Sequence, residues 1–219
     1  MTDFKDKVIV VTGASRGIGY HTALELGKRG AHIIAIARTI GALEELDDEI
    51  RKHGGSTTLV PLNITDNAAL QSLGPSLVTR FPAVDMVISA AGYLGKLTSV
   101  AQGPLEQWTR ALTTNTTANI TLIQTLHPLL KQAENPKAVF LSADPQYFDR
   151  AFFGFYGASK AALNAIVNAY GHENPEVKTA IFTPKPTATR LRDEAFPGNK
   201  DAQSPQQTAN ELIDFIEKI

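Results

Sequence analysis

Apolar residues along this chain fall into short unbroken runs, separated by longer stretches where they recur every three or four positions. Residues 7–12 read Lys-Val-Ile-Val-Val-Thr, β-branched at the centre and followed by Gly13. A run of that kind suits a strand buried on both faces. From 17 to 29, Ile18, Ala23, Leu24 and Leu26 follow helical spacing, Lys28 and Arg29 occupy the last turn and Gly30 comes next. That predicts a helix closed by cations and a glycine. The alternation continues with strand 32–37, helix 40–53, strand 57–60, a helix from the capping Asp66 to about Arg80, and strand 84–89. Helix 105–131, strand 137–142, helix 155–170, strand 177–182 and helix 206–217 complete it, the last entered through Ser204-Pro205. Connections read as short except 143–154 and 184–203. Strands alternating with helices predict βαβ units. The expected fold is α/β: a doubly wound parallel sheet of about six strands, helices on both faces in three αβα layers, and one domain over 1–219.

In open parallel sheets, ligands bind beyond the carboxyl ends of the strands. Chemistry is therefore expected just after Thr12, Ala37, Val60, Ser89, Ser142 and Phe182. Composition narrows the classes. With 21 Lys+Arg against 22 Asp+Glu there is no global pull toward nucleic acid or anionic lipid. The absence of Cys excludes disulfides, thiolate metal sites and a Cys nucleophile, and the five His show no metal-ligand spacing. The charged start carries no signal peptide and no apolar run is long enough to cross a membrane, so a cytoplasmic protein is expected.

Residues 12–19, Thr-Gly-Ala-Ser-Arg-Gly-Ile-Gly, join the first strand to the first helix. Gly13, Gly17 and Gly19 let the backbone turn tightly and approach a pyrophosphate, while the N–H groups of Ser15 to Ile18 open the helix toward an anion. A plain strand-to-helix turn would also accept three glycines; placement after the first strand favours the phosphate reading. Arg16 lies in the loop and Arg38 directly follows the second strand, where sites for NAD place a carboxylate on the ribose 2′-hydroxyl. Here Ala37 and Arg38 stand instead. Guanidinium groups match phosphate, so NADP(H) is favoured over NAD(H). The plain alternative is a pair of solvated surface arginines.

Tyr156-Gly-Ala-Ser-Lys160 opens a later helix, and its i, i+4 spacing puts Tyr156 and Lys160 side by side. A cation ~4 Å from a phenol at an effective dielectric of ~20 favours phenolate by ~4 kcal/mol, roughly three pKa units. Such a Tyr would exchange protons near neutral pH. Trp108, Leu112, Asn115, Asn119, Leu122, Leu126 and Leu129 form one helix stripe. Asn115 stands where the stripe calls for an apolar residue, and a buried amide must find partners. Asn119 shares the stripe, which leaves a purely structural reading open for both.

The glycine loop, Ser89-Ala90-Ala91-Gly92 after the fourth strand, Asn115, and Tyr156-x-x-x-Lys160 occur in order. Together they resemble the short-chain dehydrogenase/reductase family over essentially the whole chain. The resemblance implies a Rossmann fold, a nicotinamide cofactor and hydride transfer at a carbonyl or alcohol carbon. It implies Tyr156 as general acid/base, Lys160 as the group that lowers its pKa and binds the nicotinamide ribose, and Asn115 as holder of a water in the proton relay. It places the cofactor along Gly13, Ser15, Arg16, Gly17, Ile18, Gly19 and Arg38, the adenine at Asn63 and Ile64, and further contacts at Ala90, Ala91, Gly92, Pro184, Thr187 and Thr189.

The chain also departs from the family. The catalytic Ser usually lies thirteen residues before the Tyr, which is Ala143; Ser142 is one residue early and Asp144 follows. Either Ser142 takes the role or the hydroxyl is missing. The family's Asn-Ala-Ala-Gly begins with Ser89, its Asp after the third strand is Asn63, and its Pro-Gly after the sixth is Pro184-Lys185. Tyr93, Leu94, Tyr147, Phe148, Phe152, Phe153 and Phe155 are candidates for an apolar pocket wall. Two readings follow: an NADP(H)-dependent oxidoreductase, or an NADP(H)-binding sensor or scaffold with weak or no catalysis. Related proteins associate through helices that correspond here to 105–131 and 155–170, so a homodimer is expected. The length suggests a pared-down member, with a short substrate lid at 190–198 and an exposed sheet edge where a seventh strand would pair.

Overall fold

The structure is a computed structural model that describes residues 4–198 and 200–219. Its six strands are β1 (Val8–Thr12), β2 (His32–Ala37), β3 (Ser56–Pro61), β4 (Met86–Ser89), β5 (Lys137–Leu141) and β6 (Lys178–Phe182). They form one parallel sheet in the order β3-β2-β1-β4-β5-β6. The helices are α1 (Gly17–Lys28), α2 (Ile40–Arg51), α3 (Asn67–Gln71), α4 (Leu73–Val78), α5 (Leu105–Leu112), α6 (Ala118–Leu130), α7 (Gly154–Glu173), α8 (Arg190–Ala195) and α9 (Pro205–Lys218).

The period-2 geometry of a strand builds the three layers. In β1, Ile9 and Val11 face one core with residues of α1, α2 and α9 such as Leu26, Leu46 and Leu212. Val10, between them, faces the other core with Leu70, Leu122, Leu126 and Leu163 of α3, α6 and α7. Both faces of β1 are thus dry, as its unbroken apolar run requires. The sheet reverses its winding between β1 and β4. There the connections leave in opposite directions, and a crevice opens beyond the strand ends.

The expected elements are present, with corrections. The helix expected from Asp66 to Arg80 is two short helices meeting at Ser72. Gly74 lies against the Thr125 backbone, and its N–H is taken by Thr125 Oγ1 at 3.0 Å rather than continuing one long helix. The helix expected over 105–131 is interrupted by a π-helical turn, Thr113–Thr117, centred on Asn115. The connection from β4 to α5, expected to be short, is an irregular segment over 90–104. Within 184–203 the chain forms α8, and within 143–154 a 3₁₀ turn, Pro145–Tyr147. β6 pairs with β5 on one side, and no strand among the described residues covers its other side. No helix among the described residues is long and apolar enough to cross a membrane.

Candidate active site

A cleft of about 1340 Å³ runs along the carboxyl ends of the strands. One end is shaped by missing side chains. Gly13 has φ +71°, and a β-carbon there would sit 2.9 Å from Ala91 N. One on Gly19 would sit 2.5 Å from Gly13 O. The loop therefore folds against the segment after β4 at a distance only glycine permits. Helix α1 opens here with no side-chain cap and no acidic residue in its first turn, so its free N–H groups and positive dipole end face the cleft. Ser15, Gly17 and Ile18 line the same end.

Arg16 and Arg38 are both exposed on this rim, and neither is ion-paired among the described residues. Asn63 and Ile64 lie beyond β3, where the Leu62 N–H donates to Ala37 O at 2.9 Å and holds the two strand ends together. Ala90, Ala91 and Gly92 form the floor. These features fit a dinucleotide with a 2′-phosphate: a cradle that a Cβ would fill, unspent backbone donors, and two guanidinium groups near the second strand's end.

The other end is built from side chains. Tyr156 lies in the first turn of α7, 8% exposed, packed with Leu94, Ala143 and Phe153. Tyr147, Leu191 and Phe196 close around this cluster. Lys160, one turn on, is 5% exposed, and its Nζ donates to Leu141 O at 2.8 Å. The spacing does bring Tyr156 and Lys160 onto one face, but the expected depression of the phenol does not occur. Burial, and secondarily Tyr147, push Tyr156 above the usual tyrosine range. Burial also lowers Lys160 to about 8. Desolvation dominates both shifts, so the phenol is held neutral.

Asn115 finds the partners its burial demands. Its Oδ1 accepts from Tyr93 N at 2.8 Å, and its Nδ2 donates to Tyr93 O at 2.8 Å and to Ser159 Oγ at 2.9 Å. Ser159 Oγ in turn donates to Tyr156 O at 2.7 Å. Asn115 thus fixes the main chain on both sides of the cleft, and its side chain has no donor left for a water.

Ala143, at the family's Ser position, packs in the Tyr156 cluster, while Ser142 Oγ is buried without a hydrogen-bond partner among the described residues. Ser142 lines the cleft and its N–H donates to Phe182 O at 2.9 Å. Asp144 accepts from Gln146 N at 2.9 Å and caps the 3₁₀ turn.

Beyond β6, Pro184 and Lys185 both line the cleft, and the Lys185 ammonium is paired with Glu211 at 2.8 Å. Thr187 and Thr189 also line the cleft, and each hydroxyl has a partner. Thr187 Oγ1 donates to Lys185 O and lies 2.7 Å from Thr208 Oγ1, and Thr189 Oγ1 accepts from Arg192 N as the cap of α8. Of the candidate pocket-wall residues, Leu94, Tyr147, Phe148 and Phe153 join the Tyr156 cluster. Tyr93 lines the cleft and donates to Gln107 at 2.8 Å. Phe155 packs on Trp108, and Phe152 is 62% exposed.

Sequence reasoning marked 190–198 as a short lid without singling out Leu191 or Phe196, and it missed Ser159 and the Leu141 carbonyl. Ser159 was visible inside the Tyr156–Lys160 motif. Leu191 and Phe196 enter through α8, a helix too short to announce itself by periodicity.

Comparison with known proteins agrees with this architecture. Residues 7–200 match the family model for short chain dehydrogenases. The uncharacterized oxidoreductase YciK of Escherichia coli is 29% identical over 196 residues, covering 88% of this chain and 78% of YciK. A fatty acyl-CoA reductase of Acinetobacter baylyi is 27% identical, covering 98% of this chain and 74% of that protein. A short chain dehydrogenase from Shigella flexneri, solved in complex with NADP, superposes with TM-score 0.89 at 27% identity, covering 94% of this chain and 89% of that one. Glycine loop, sheet order and the Tyr156–Lys160 helix thus coincide with a match spanning most of the sequence, and the chain belongs to the short chain dehydrogenase family.

Proposed function

We propose that this protein is an NADP(H)-dependent oxidoreductase that reduces the carbonyl group of an apolar small molecule, with Tyr156 as general acid. The observation that carries this reading is a single cleft joining two unpaired arginines and a glycine cradle at one end to a buried neutral phenol at the other. The Shigella flexneri relative, solved with NADP, supports the choice of cofactor.

The bound nicotinamide supplies a hydride. The chain's own residues do the rest. Gly13 and Gly19 admit the pyrophosphate, and Arg16 and Arg38 take the 2′-phosphate. Gly92 lies open beside Asn115 and Lys160, since a β-carbon there would stand 3.6 Å from Asn115 Oδ1 and 3.8 Å from Lys160 Nζ. Lys160 is therefore placed to bind a ribose hydroxyl at the centre of the cleft. Tyr156 donates its proton to the substrate oxygen. A neutral phenol is the correct state for a proton donor, which favours reduction over oxidation at neutral pH. Ser142, with its unspent hydroxyl on the same wall, is the remaining polar group near the reacting end. The apolar wall of Leu94, Phe153, Leu191 and Phe196 excludes water and selects apolar substrates.

The test is a screen of ketones, aldehydes and alcohols with NADPH and NADH, read at the nicotinamide absorbance band against a Tyr156→Phe control. Turnover of at least one carbonyl with NADPH, lost in the control, is expected; no turnover above the control rejects the reading. Ala143 at the family's Ser position favours the second reading, binding with little catalysis, and micromolar NADPH binding without turnover would establish it. We also propose that two copies pair through α5–α6 and α7, where Ala161, Ala162 and Ala165 are incompletely buried. Light scattering reporting a monomer would count against pairing.

A further inference from the structure

Asn119 is the one buried amide of the helix stripe that the proposed chemistry does not use, and its contacts show what it does. Its Nδ2 donates to Asn115 O at 2.9 Å, across the π-helical turn. Its Oδ1 accepts from Ser89 Oγ at 2.5 Å. Because the Ser89 proton is committed to Asn119, Thr12 Oγ1, 3.3 Å away, is the donor to Ser89. Thr12 Oγ1 in turn accepts from Ala91 N at 3.3 Å. Thr12 is 1% exposed, Ser89 4%, Asn119 3% and Asn115 0%. The bonds among these four side chains therefore lie where water cannot replace them.

The chain of bonds is continuous from one end of the cleft to the other. It starts at the end of β1, where the glycine loop begins, crosses β4 at Ser89, and reaches Asn115 through Asn119. From Asn115 it divides to the Tyr93 backbone and to Ser159, and Ser159 holds the carbonyl of Tyr156. Thr116 Oγ1 adds a second tie, donating to Ser159 O at 2.8 Å. Such a turn needs its carbonyls held, because the wide helical geometry disrupts the regular ladder.

We infer that Asn119 is a positioning residue: by gripping the Asn115 carbonyl and taking the Ser89 hydroxyl, it sets the wide turn that aligns Asn115, Ser159 and Tyr156 with the cofactor end. The pairing of Ser89 with Asn119 supplies from α6 an amide at the place where β4 ends in a short hydroxyl. Asn119 does not line the cleft and acts through Asn115. The inference rests on the proposed reaction for its kinetic consequence but not for its structural one.

Three variants test it. Asn119→Leu removes both bonds at nearly constant volume, Asn119→Asp keeps the acceptor for Ser89 and loses the donor to Asn115, and Ser89→Ala removes only the far half. With NADPH and the best carbonyl of the screen, kcat is expected to fall at least about tenfold in Asn119→Leu and Asn119→Asp, and less in Ser89→Ala. The dissociation constant for NADPH, from fluorescence titration, should change less than about threefold. Amide exchange at Tyr93, whose N–H is held by Asn115, should accelerate in both Asn119 variants. A wild-type kcat together with wild-type exchange at Tyr93 in Asn119→Leu overturns the inference. So does a loss of kcat that merely tracks melting temperature and cofactor affinity across the three variants. If the wild-type protein reduces no carbonyl, the proposed function fails, and exchange at Tyr93 still decides the positioning role. If Asn119→Leu does not fold, Asn119→Asp and Ser89→Ala decide it by the same readings.

Discussion

The two ends of the cleft are made in opposite ways. At the glycine loop the geometry comes from atoms that are absent: Gly13 and Gly19 bring backbone within contact of backbone, and the ligand-facing groups are N–H donors that every residue possesses. At Tyr156 the geometry comes from side chains delivered by separate elements: the segment after β4, the segment after β5, α7 and α8. The first end tolerates a change of neighbour as long as the glycines stay. The second depends on individual atoms, and there Ala143 packs against the phenol. A protein of this construction can retain binding while its chemistry drifts.

The largest expected effect separates the two ends directly. Tyr156→Phe removes the proposed proton donor and leaves the glycine loop untouched. Turnover should fall roughly a thousandfold, while the NADPH dissociation constant stays within about twofold, since the phenol lies among apolar groups. An equal loss in both would show that the ends are not independent.

Lys160→Met comes next and is read in stability. Burial lowers Lys160 from 10.5 to about 8 in the folded protein. Between those values the unfolded chain binds a proton that the folded chain does not, so wild-type stability rises with pH across that window. Relative to Lys160→Met, which has no such proton, the wild type should gain about 3 kcal/mol between pH 8 and 10.5. Denaturant titrations at several pH values measure this, and a flat difference would mean that Lys160 is not desolvated in solution.

At the other end, Arg38→Ala should weaken NADPH binding about tenfold, and adding Arg16→Ala should weaken it further, with NADH affinity unchanged. Equal weakening of both cofactors would place the arginines on the pyrophosphate instead of the 2′-phosphate.

How far the sequence could be read follows the same division. The doubly wound sheet was legible because unbroken apolar runs such as 7–12 admit few other environments. The glycine loop was legible because glycines at a strand-to-helix junction state their backbone geometry directly. The pairing of Tyr156 with Lys160 was legible from spacing, but its electrostatics were not. Spacing gives proximity, whereas the rise of the phenol comes from Leu94, Phe153 and Ala143, which reach it through the fold. The π-helical turn was hidden for a similar reason: nothing in Thr-Thr-Asn-Thr-Thr signals it, and it is held by Asn119, Ser89 and Ser159 from α6, β4 and α7. Helices α3 and α4 looked like one because the contact of Gly74 with Thr125 joins residues far apart in sequence.

The smallest expected effect is the most pointed test of the comparison, because it attempts to add chemistry to the end built from side chains. Ala143 is 7% exposed and packs in the Tyr156 cluster, so Ala143→Ser places a hydroxyl beside the phenol. One donor aimed at a developing oxyanion is typically worth 10²–10³ in rate. The gain here should be nearer tenfold, because the surrounding wall was not shaped for that hydroxyl. Burying it should cost about 1 kcal/mol of stability in the absence of substrate. NADPH affinity should not move. If turnover is unchanged, Ser142→Ala distinguishes the reasons. A fall in that variant means that Ser142, unpartnered in the structure, turns to the substrate when it binds. No change in either means that Tyr156 alone suffices, and that substrates must carry carbonyls already polarised by their own substituents.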